Sequence, residues 1–303
     1  MSSDSDPVIS YPSRHSSPVT RHPDEARAKI TAPVIQGMKG SGEKVVMVTA
    51  YDYPTARAVE LAGLEAILVG DSLGMVVLGY DSTIPVTMEE MLHHTRAVMR
   101  GVETVHVVAD LPFMSYQVSD EQALTNAGRL MKEGGADAVK LEGGRSIVSR
   151  IEAIVRAGIP VMAHIGLTPQ ASAALGGFKV QGRSLAAARG VIDDALAVEA
   201  AGAYAVVIEA VPRQLARIIT GKLAVPTIGI GAGADCDGQV LVNGDLLGSF
   251  DRFSPRFSKQ YANTLDVMRT AFAAFASEVR AGEFPAHEHG FAISREVLAE
   301  LEG

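Results

Sequence analysis

The sequence predicts an α/β protein, a single-domain (β/α)8 TIM barrel. Three observations carry that expectation. Eight short apolar runs alternate with helical patterns. Each run is nearly continuous in Val, Ile, Leu and Ala, as a strand covered on both faces requires. The chain has 303 residues, enough for one barrel of about 250 residues with tails. The expected strands are Val45–Thr49, Ala66–Val69, Val105–Ala109, Ala138–Leu141, Val161–His164, Ala205–Ile208, Thr227–Gly229 and Gln239–Val242. Eight strands favour a closed barrel over an open doubly wound sheet, which is the second choice.

The helices between the runs have readable ends. Thr87 and Glu90 form a capping box ahead of a stripe of Met88, Met91, Leu92, Val98 and Met99. Ser119 and Gln122 repeat the device, and Gly134 is expected to end that helix. Ile147, Val148, Ile151, Ile154 and Val155 form another stripe, closed by Gly158. Pro212 is placed as the first residue of a helix carrying Leu215, Ile218 and Ile219. A helical pattern returns from Ser258 to Gly282, and Ile293–Leu301 reads as one more short helix.

Composition bounds the function. Apolar residues make up 47% of the chain, ample for a large core. A net charge of −8 without a basic cluster argues against nucleic-acid binding. No run of about 18 apolar residues is present, so no membrane span is expected. Residues 1–28 carry almost nothing to bury and read as a disordered extension without the apolar stretch of a signal peptide. The barrel domain is expected over 29–291, with a tail over 292–303. The single cysteine, Cys236, excludes an internal disulfide and points to a reducing, cytoplasmic setting. Flanking Asp235 and Asp237 would disfavour its thiolate.

In a barrel of this kind the active site lies at the C-terminal ends of the strands. Asp71-Ser72 follow the second run and Asp110 the third. Lys140 and Glu142 lie at the end of the fourth, His164 at the fifth and Glu209 at the sixth. A lone Asp after a strand is usually a helix cap. Five consecutive strands ending in ionisable residues would instead gather four carboxylates, one Lys and one His at one mouth. Such a cluster repels itself unless a hard divalent cation such as Mg²⁺ sits in it.

Other motifs carry less. Gly229-Ile-Gly-Ala-Gly233 has the wrong spacing for a dinucleotide loop and reads as a close backbone approach. Lys39–Lys44 lacks the ending of a phosphate-binding loop. His93 and His94 cannot share one helix face. His287 and His289 lie in a polar tail. The Gly-rich basic stretch Gly176–Arg183 suits either a loop over the site or a plain surface loop.

Together these segments closely resemble the ketopantoate hydroxymethyltransferase family. The matching stretches are Thr49–Asp52, Leu68–Gly74, Ala109–Phe113, Val139–Gly144, His164–Gln170, Gly177–Arg183 and Ile228–Gly233. The resemblance runs from about Ile30 to Phe291. It implies transfer of a hydroxymethyl group from 5,10-methylenetetrahydrofolate to 3-methyl-2-oxobutanoate, giving 2-dehydropantoate in pantothenate biosynthesis. It further implies that Asp71, Asp110 and Glu142 hold one Mg²⁺ per subunit, Glu142 either directly or through water. Asp71, Ser72, Asp110, Lys140 and His164 would bind the keto acid, and Glu209 would be the base. The family resemblance also implies a homodecamer. The Ser-rich leader and the segment after Gly290 extend past the usual ends of the family.

Two rival readings share the pocket. One is a Mg²⁺-dependent carbon–carbon lyase or mutase of the phosphoenolpyruvate mutase and isocitrate lyase type, which would need an acid such as a cysteine on a mobile loop. The other is a non-catalytic keto-acid-binding barrel, which loss of a strand-end carboxylate would have favoured.

Overall fold

Eight parallel strands close on themselves in chain order in the computed structural model, which describes residues 27–253 and 255–303. They are β1 Val45–Thr49, β2 Ala66–Val69, β3 His106–Asp110, β4 Ala138–Glu142, β5 Val161–Gly166, β6 Ala205–Glu209, β7 Thr227–Ile230 and β8 Gly238–Leu241. The closure joins β8 to β1 with Val45 opposite Gly238. A Cβ at Gly238 would run into the carbonyl oxygen of Val45, so glycine there lets the last strand reach the first.

The expected barrel is thus the observed one, with shifted strand ends. β3 begins one residue late because the Val105 N–H is taken by Glu60 Oε2 at 3.2 Å. β3 to β7 each run further toward the mouth than expected, so Asp110, Glu142 and Glu209 are strand residues rather than loop residues. β8 begins one residue early, at Gly238.

Side chains alternate across each strand. Met47, Leu68, Val108, Met162, Val207, Ile228 and Val240 fill the interior, together with Ile35 and Met38 of the helix Ala32–Ser41. The opposite faces pack against the surrounding helices through Ile67, Val107, Val139, Ala163 and Ile208.

The Thr87 capping box is present at the start of the helix Met88–Met99, and Ser119 caps Asp120–Arg129. Gly134 does not end the latter helix. The chain continues through a π-helical turn, Leu130–Gly134, and Gly135 takes the left-handed conformation at φ 81°. Gly134 is there for packing, since a Cβ would come within 3.1 Å of the Thr95 side chain. Pro212 lies just outside its helix, Arg213–Lys222. The last long helix starts at Thr264, where Asn263 caps it, rather than near Ser258, and the tail helix is Arg295–Glu302.

Arg27 Nη1 donates to Leu64 O at 2.9 Å, tying residue 27 of the expected leader to the barrel. Residues 1–26 of that leader lie outside the described residues. The helix Thr264–Ala281 buries none of its residues, with Phe272 66% and Phe275 54% exposed. On the barrel wall, outward-facing Val46 of β1 is 48% exposed and Gln239 of β8 is exposed. Among the described residues no helix is long and apolar enough to cross a membrane.

Candidate active site

Strand register assembles the polar cluster. Asp110 of β3 lies beside Lys140 of β4, and Glu142 beside His164 of β5. Lys140 and Glu142 are two residues apart and share the inward face. Glu209 ends β6 opposite Gly166. Asp71 follows β2 after Gly70, and its backbone N–H donates to Asp110 Oδ2 at 3.0 Å. All the residues expected from the strand ends, Asp71, Ser72, Asp110, Lys140, Glu142, His164 and Glu209, therefore line one cavity of about 660 Å³.

The cluster is buried and charged. Lys140 Nζ lies 3.1 Å from Asp110 Oδ1 and 4.0 Å from Glu142 Oε1. Burial opposes its charge, but Asp110, Glu142 and Asp71 hold the ammonium above its ordinary range. His164 Nδ1 is 3.1 Å from Lys140 Nζ and 3.4 Å from Glu142 Oε1, and Nε2 is 3.2 Å from Glu209 Oε2. The Nε2 contact is a close charge pair that lacks hydrogen-bond geometry. Burial and Lys140 push the imidazole down, yet Glu142 and Glu209 outweigh them and raise it to about 9.

The carboxylates divide. Burial, Glu142 and Asp110 push Asp71 well above the usual carboxylate range. Burial and Glu142 also raise Asp110, against the pull of Lys140. Burial opposes ionisation of Glu142, but the neighbouring His164 and Lys140 charges and the Gln170 N–H keep it below its ordinary value. Four carboxylates thus face two cationic groups, and the unbalanced charge falls on Asp71 and Asp110.

That imbalance tests whether a hard cation fits. Among the described residues Asp110 Oδ1 has no hydrogen-bond partner despite its burial, and it lies against the Lys140 charge. Among the described residues no three His, Cys, Asp or Glu side chains form a ligand set by themselves. Two hard oxygen donors with room for water and substrate oxygens suit Mg²⁺, which commonly keeps several waters and uses one or two carboxylates. The residues fit the ion on those terms.

Neutral residues hold the cluster, and a count of charges passes over them. Gln170 Nε2 donates to Asp71 Oδ2 and to Leu111 O, both at 2.9 Å, while its backbone N–H donates to Glu142 Oε2 at 3.0 Å. The Tyr116 hydroxyl donates to Gln170 Oε1 at 2.7 Å and accepts from the Glu142 N–H at 3.2 Å. The buried Tyr51 hydroxyl pairs with Ser72 Oγ at 2.8 Å. A buried Gln in the turn after β5 was visible as part of the stretch His164–Gln170, but not as a site residue.

Phe178, Lys179 and Val180 of the Gly-rich stretch line the same cavity, so that stretch is a loop over the site. Gly231 of the other Gly-rich segment has φ 63°, and the Phe257 ring packs where its Cβ would be. This is the close approach that the spacing suggested. Cys236 is buried outside the site cavity, and burial raises its thiol.

The fold and the cluster define a class: a (β/α)8-barrel enzyme with an acid-rich, cation-compatible pocket at the C-terminal mouth. The family model described as ketopantoate hydroxymethyltransferase matches residues 29–287. The chain belongs to the ketopantoate hydroxymethyltransferase family and is a transferase of that family.

Two relatives, both named 3-methyl-2-oxobutanoate hydroxymethyltransferase, show how close the match is. The one from Moorella thermoacetica is 60% identical over 265 residues, covering 88% of this chain and 98% of the relative. The one from Syntrophus aciditrophicus is 58% identical over 263 residues, covering 87% and 97%. Among solved structures, phosphonopyruvate hydrolase aligns with a TM-score of 0.56 at 17% identity, covering 91% of this chain and 95% of that one. At that identity the likeness shows the fold alone.

Proposed function

We propose that the protein transfers a hydroxymethyl group from 5,10-methylenetetrahydrofolate to 3-methyl-2-oxobutanoate, with water consumed and tetrahydrofolate released. The product is 2-dehydropantoate, the first committed intermediate of pantothenate biosynthesis. The observation that carries the reading is the convergence of Asp71, Asp110, Lys140, Glu142, His164 and Glu209 in one buried pocket. It occurs in a chain 54% to 60% identical to relatives that bear the corresponding name.

Asp71 and Asp110 would hold one Mg²⁺ per subunit, with Glu142 reaching it through water. When bound, the ion offsets the negative charge that develops on the keto oxygen as C3 loses its proton. Lys140, fixed by Asp110, places positive charge beside the substrate carboxylate. Ser72, oriented by Tyr51, donates a hydrogen bond to the keto acid. Glu209 takes the C3 proton, and His164 at 3.2 Å holds that carboxylate toward the substrate. Water cleaves the two C–N bonds of the methylene bridge, leaving tetrahydrofolate and the one-carbon unit as formaldehyde. The carbon nucleophile adds to that carbonyl, whose oxygen takes up the proton held by Glu209 to become the product hydroxyl.

The lyase or mutase reading lacks its acid, because Cys236 is buried outside the cavity. The non-catalytic reading is disfavoured by the presence of every strand-end ionisable group. We also read the protein as a cytoplasmic homo-oligomer, a decamer by family likeness. In support, the helix Thr264–Ala281 buries none of its residues while Val46 and Gln239 on the barrel wall are exposed. Leu265, Met268, Phe272, Phe275 and Val279 are exposed at alternating spacings of three and four residues, the seam one helix offers another surface. A second copy of the chain supplies that surface.

The direct test is an assay for 2-dehydropantoate from 3-methyl-2-oxobutanoate and methylenetetrahydrofolate, with and without EDTA. Formation of product that EDTA stops and Mg²⁺ restores is expected. A protein that turns over neither substrate overturns the reading.

A further inference from the structure

The site cavity has two chemically distinct parts. Its buried part is the ionic cluster. Its open part is lined by Met75, Phe178, Val180, Phe250, Phe253 and Phe257. Phe178 and Phe253 are 58% and 54% exposed, large aromatic faces that the fold itself does not cover. Phe250 and Phe253 meet edge to face with centroids 5.8 Å apart. Lys179 and Arg256 are exposed at the rim. A cavity of about 660 Å³ is of the size that encloses a drug-sized ligand, well beyond a small branched keto acid.

One acid lines the cavity away from the ionic cluster. Asp245 sits on the short helix Asn243–Leu247 that follows β8. Its Oδ2 accepts from Ser258 Oγ at 3.2 Å, and among the described residues Oδ1 has no hydrogen-bond partner. A half-buried carboxylate with a free oxygen, set among phenylalanines, can receive a flat ring that offers two adjacent N–H donors. A pterin has that pattern in its N3–H and 2-amino groups, which one carboxylate accepts side by side. The ring faces would stack on the phenylalanines, and a tail carrying glutamyl carboxylates would meet the cations at the rim.

We propose that the open half of the cavity is the folate subsite, with Asp245 recognising the pterin edge, Phe253 and Phe178 stacking on the ring, and Lys179 and Arg256 receiving the glutamyl tail. This placement rests on the reading that a folate is the one-carbon donor. It puts the donated carbon in the same cavity as the keto-acid cluster, so transfer needs no channel between sites.

The test uses the full chain with two variants, Asp245→Asn and Phe253→Ala. Asn presents an amide donor to the pterin donors, and Phe253 is exposed enough for its truncation to leave the fold alone. Tetrahydrofolate binding is measured by titration calorimetry, and exchange of the C3 hydrogen of 3-methyl-2-oxobutanoate in deuterated water is followed by NMR without folate. Asp245→Asn is expected to weaken tetrahydrofolate binding by about 10- to 100-fold, the value of hydrogen bonds to a charged acceptor. Phe253→Ala is expected to weaken it by about fivefold or more through lost stacking. Both should exchange C3 at the parental rate.

Variants that bind tetrahydrofolate as the parent does overturn the placement alone. An Asp245→Asn variant that loses C3 exchange along with folate also overturns it, since Asp245 would then serve the keto acid. A parent protein that exchanges C3 but does not bind tetrahydrofolate overturns the donor reading and this placement with it.

Discussion

The Nε2 of His164 lies 3.2 Å from Oε2 of Glu209, and its Nδ1 lies 3.4 Å from Oε1 of Glu142. One buried ring therefore spans two carboxylates given different roles in the proposed reaction. Glu142 is tied down further by the Gln170 N–H and by Lys140. Glu209 has no comparable tether among the described residues, and its side chain is 15% exposed. A base needs that freedom to reach the substrate, and its partner ring limits where it can point.

Asp71 is the carboxylate least favoured as an anion, because burial and two neighbouring acids raise it. Asp71→Asn removes that repulsion while the amide keeps an acceptor for Gln170. We expect thermal stability equal to or above the parent's, Mn²⁺ affinity by electron paramagnetic resonance weakened about tenfold or more, and turnover lost. Parental Mn²⁺ binding in the variant would remove Asp71 from the metal site.

Gln170 supports Asp71 and Glu142 at once. Groups that orient metal-binding carboxylates commonly affect metal affinity or activity by about 10- to 100-fold. Gln170→Ala should fall in that range for Mg²⁺-dependent turnover. A variant with parental kinetics would show that the amide only fills space.

A different histidine governs acid stability. His106 is buried with Nε2 2.8 Å from the Tyr204 hydroxyl, and burial holds it down to about 4 despite the pull of Asp137. The unfolded chain takes up that proton below about 6.5 and the folded protein only below about 4, so this contribution is intact above 6.5 and is lost as pH falls between the two. The loss is on the order of 2 kcal/mol from pH 7 to pH 5. Melting curves should therefore show a steeper fall over that range for the parent than for His106→Gln. Equal slopes would mean that His106 does not contribute.

In the proposed homo-oligomer the uncovered helix forms the contact between copies. Phe272→Glu with Phe275→Glu places charge on the exposed seam of Thr264–Ala281 without touching the barrel core. Light scattering should show the assembly breaking into smaller species, with the circular dichroism of the barrel retained. An unchanged molar mass would mean that this face is not an interface.

Much of this was legible in the chain. The apolar runs marked all eight strands, and the ionisable groups at their ends marked the pocket, because a buried strand and a polar mouth each require particular residue types. What was missed is neutral or relational. Gln170, Tyr116 and Tyr51 carry no charge, so nothing in composition separated them from ordinary loop and core residues. The start of β3 moved because Glu60, distant in sequence, takes the Val105 N–H. The isolation of Thr264–Ala281 depends on what its apolar face meets, and spacing alone does not state that. The aromatic half of the cavity draws on Met75, Phe178 and Phe253, which come together only when the barrel closes.

In the proposed reaction Glu209 removes the C3 proton of a keto acid held by the neighbouring cluster. Glu209 is not the cap of the following helix, whose N-cap position is Pro212. Its replacement by Gln should therefore leave the melting temperature nearly unchanged. The deciding measurement is NMR exchange of the C3 hydrogen of 3-methyl-2-oxobutanoate with deuterated water in Glu209→Gln, with Mg²⁺ present and folate absent. Exchange is expected to slow by roughly 10²- to 10⁴-fold at near-parental keto-acid affinity. Exchange at the parental rate would contradict that role for Glu209 and move the base to another group in the pocket.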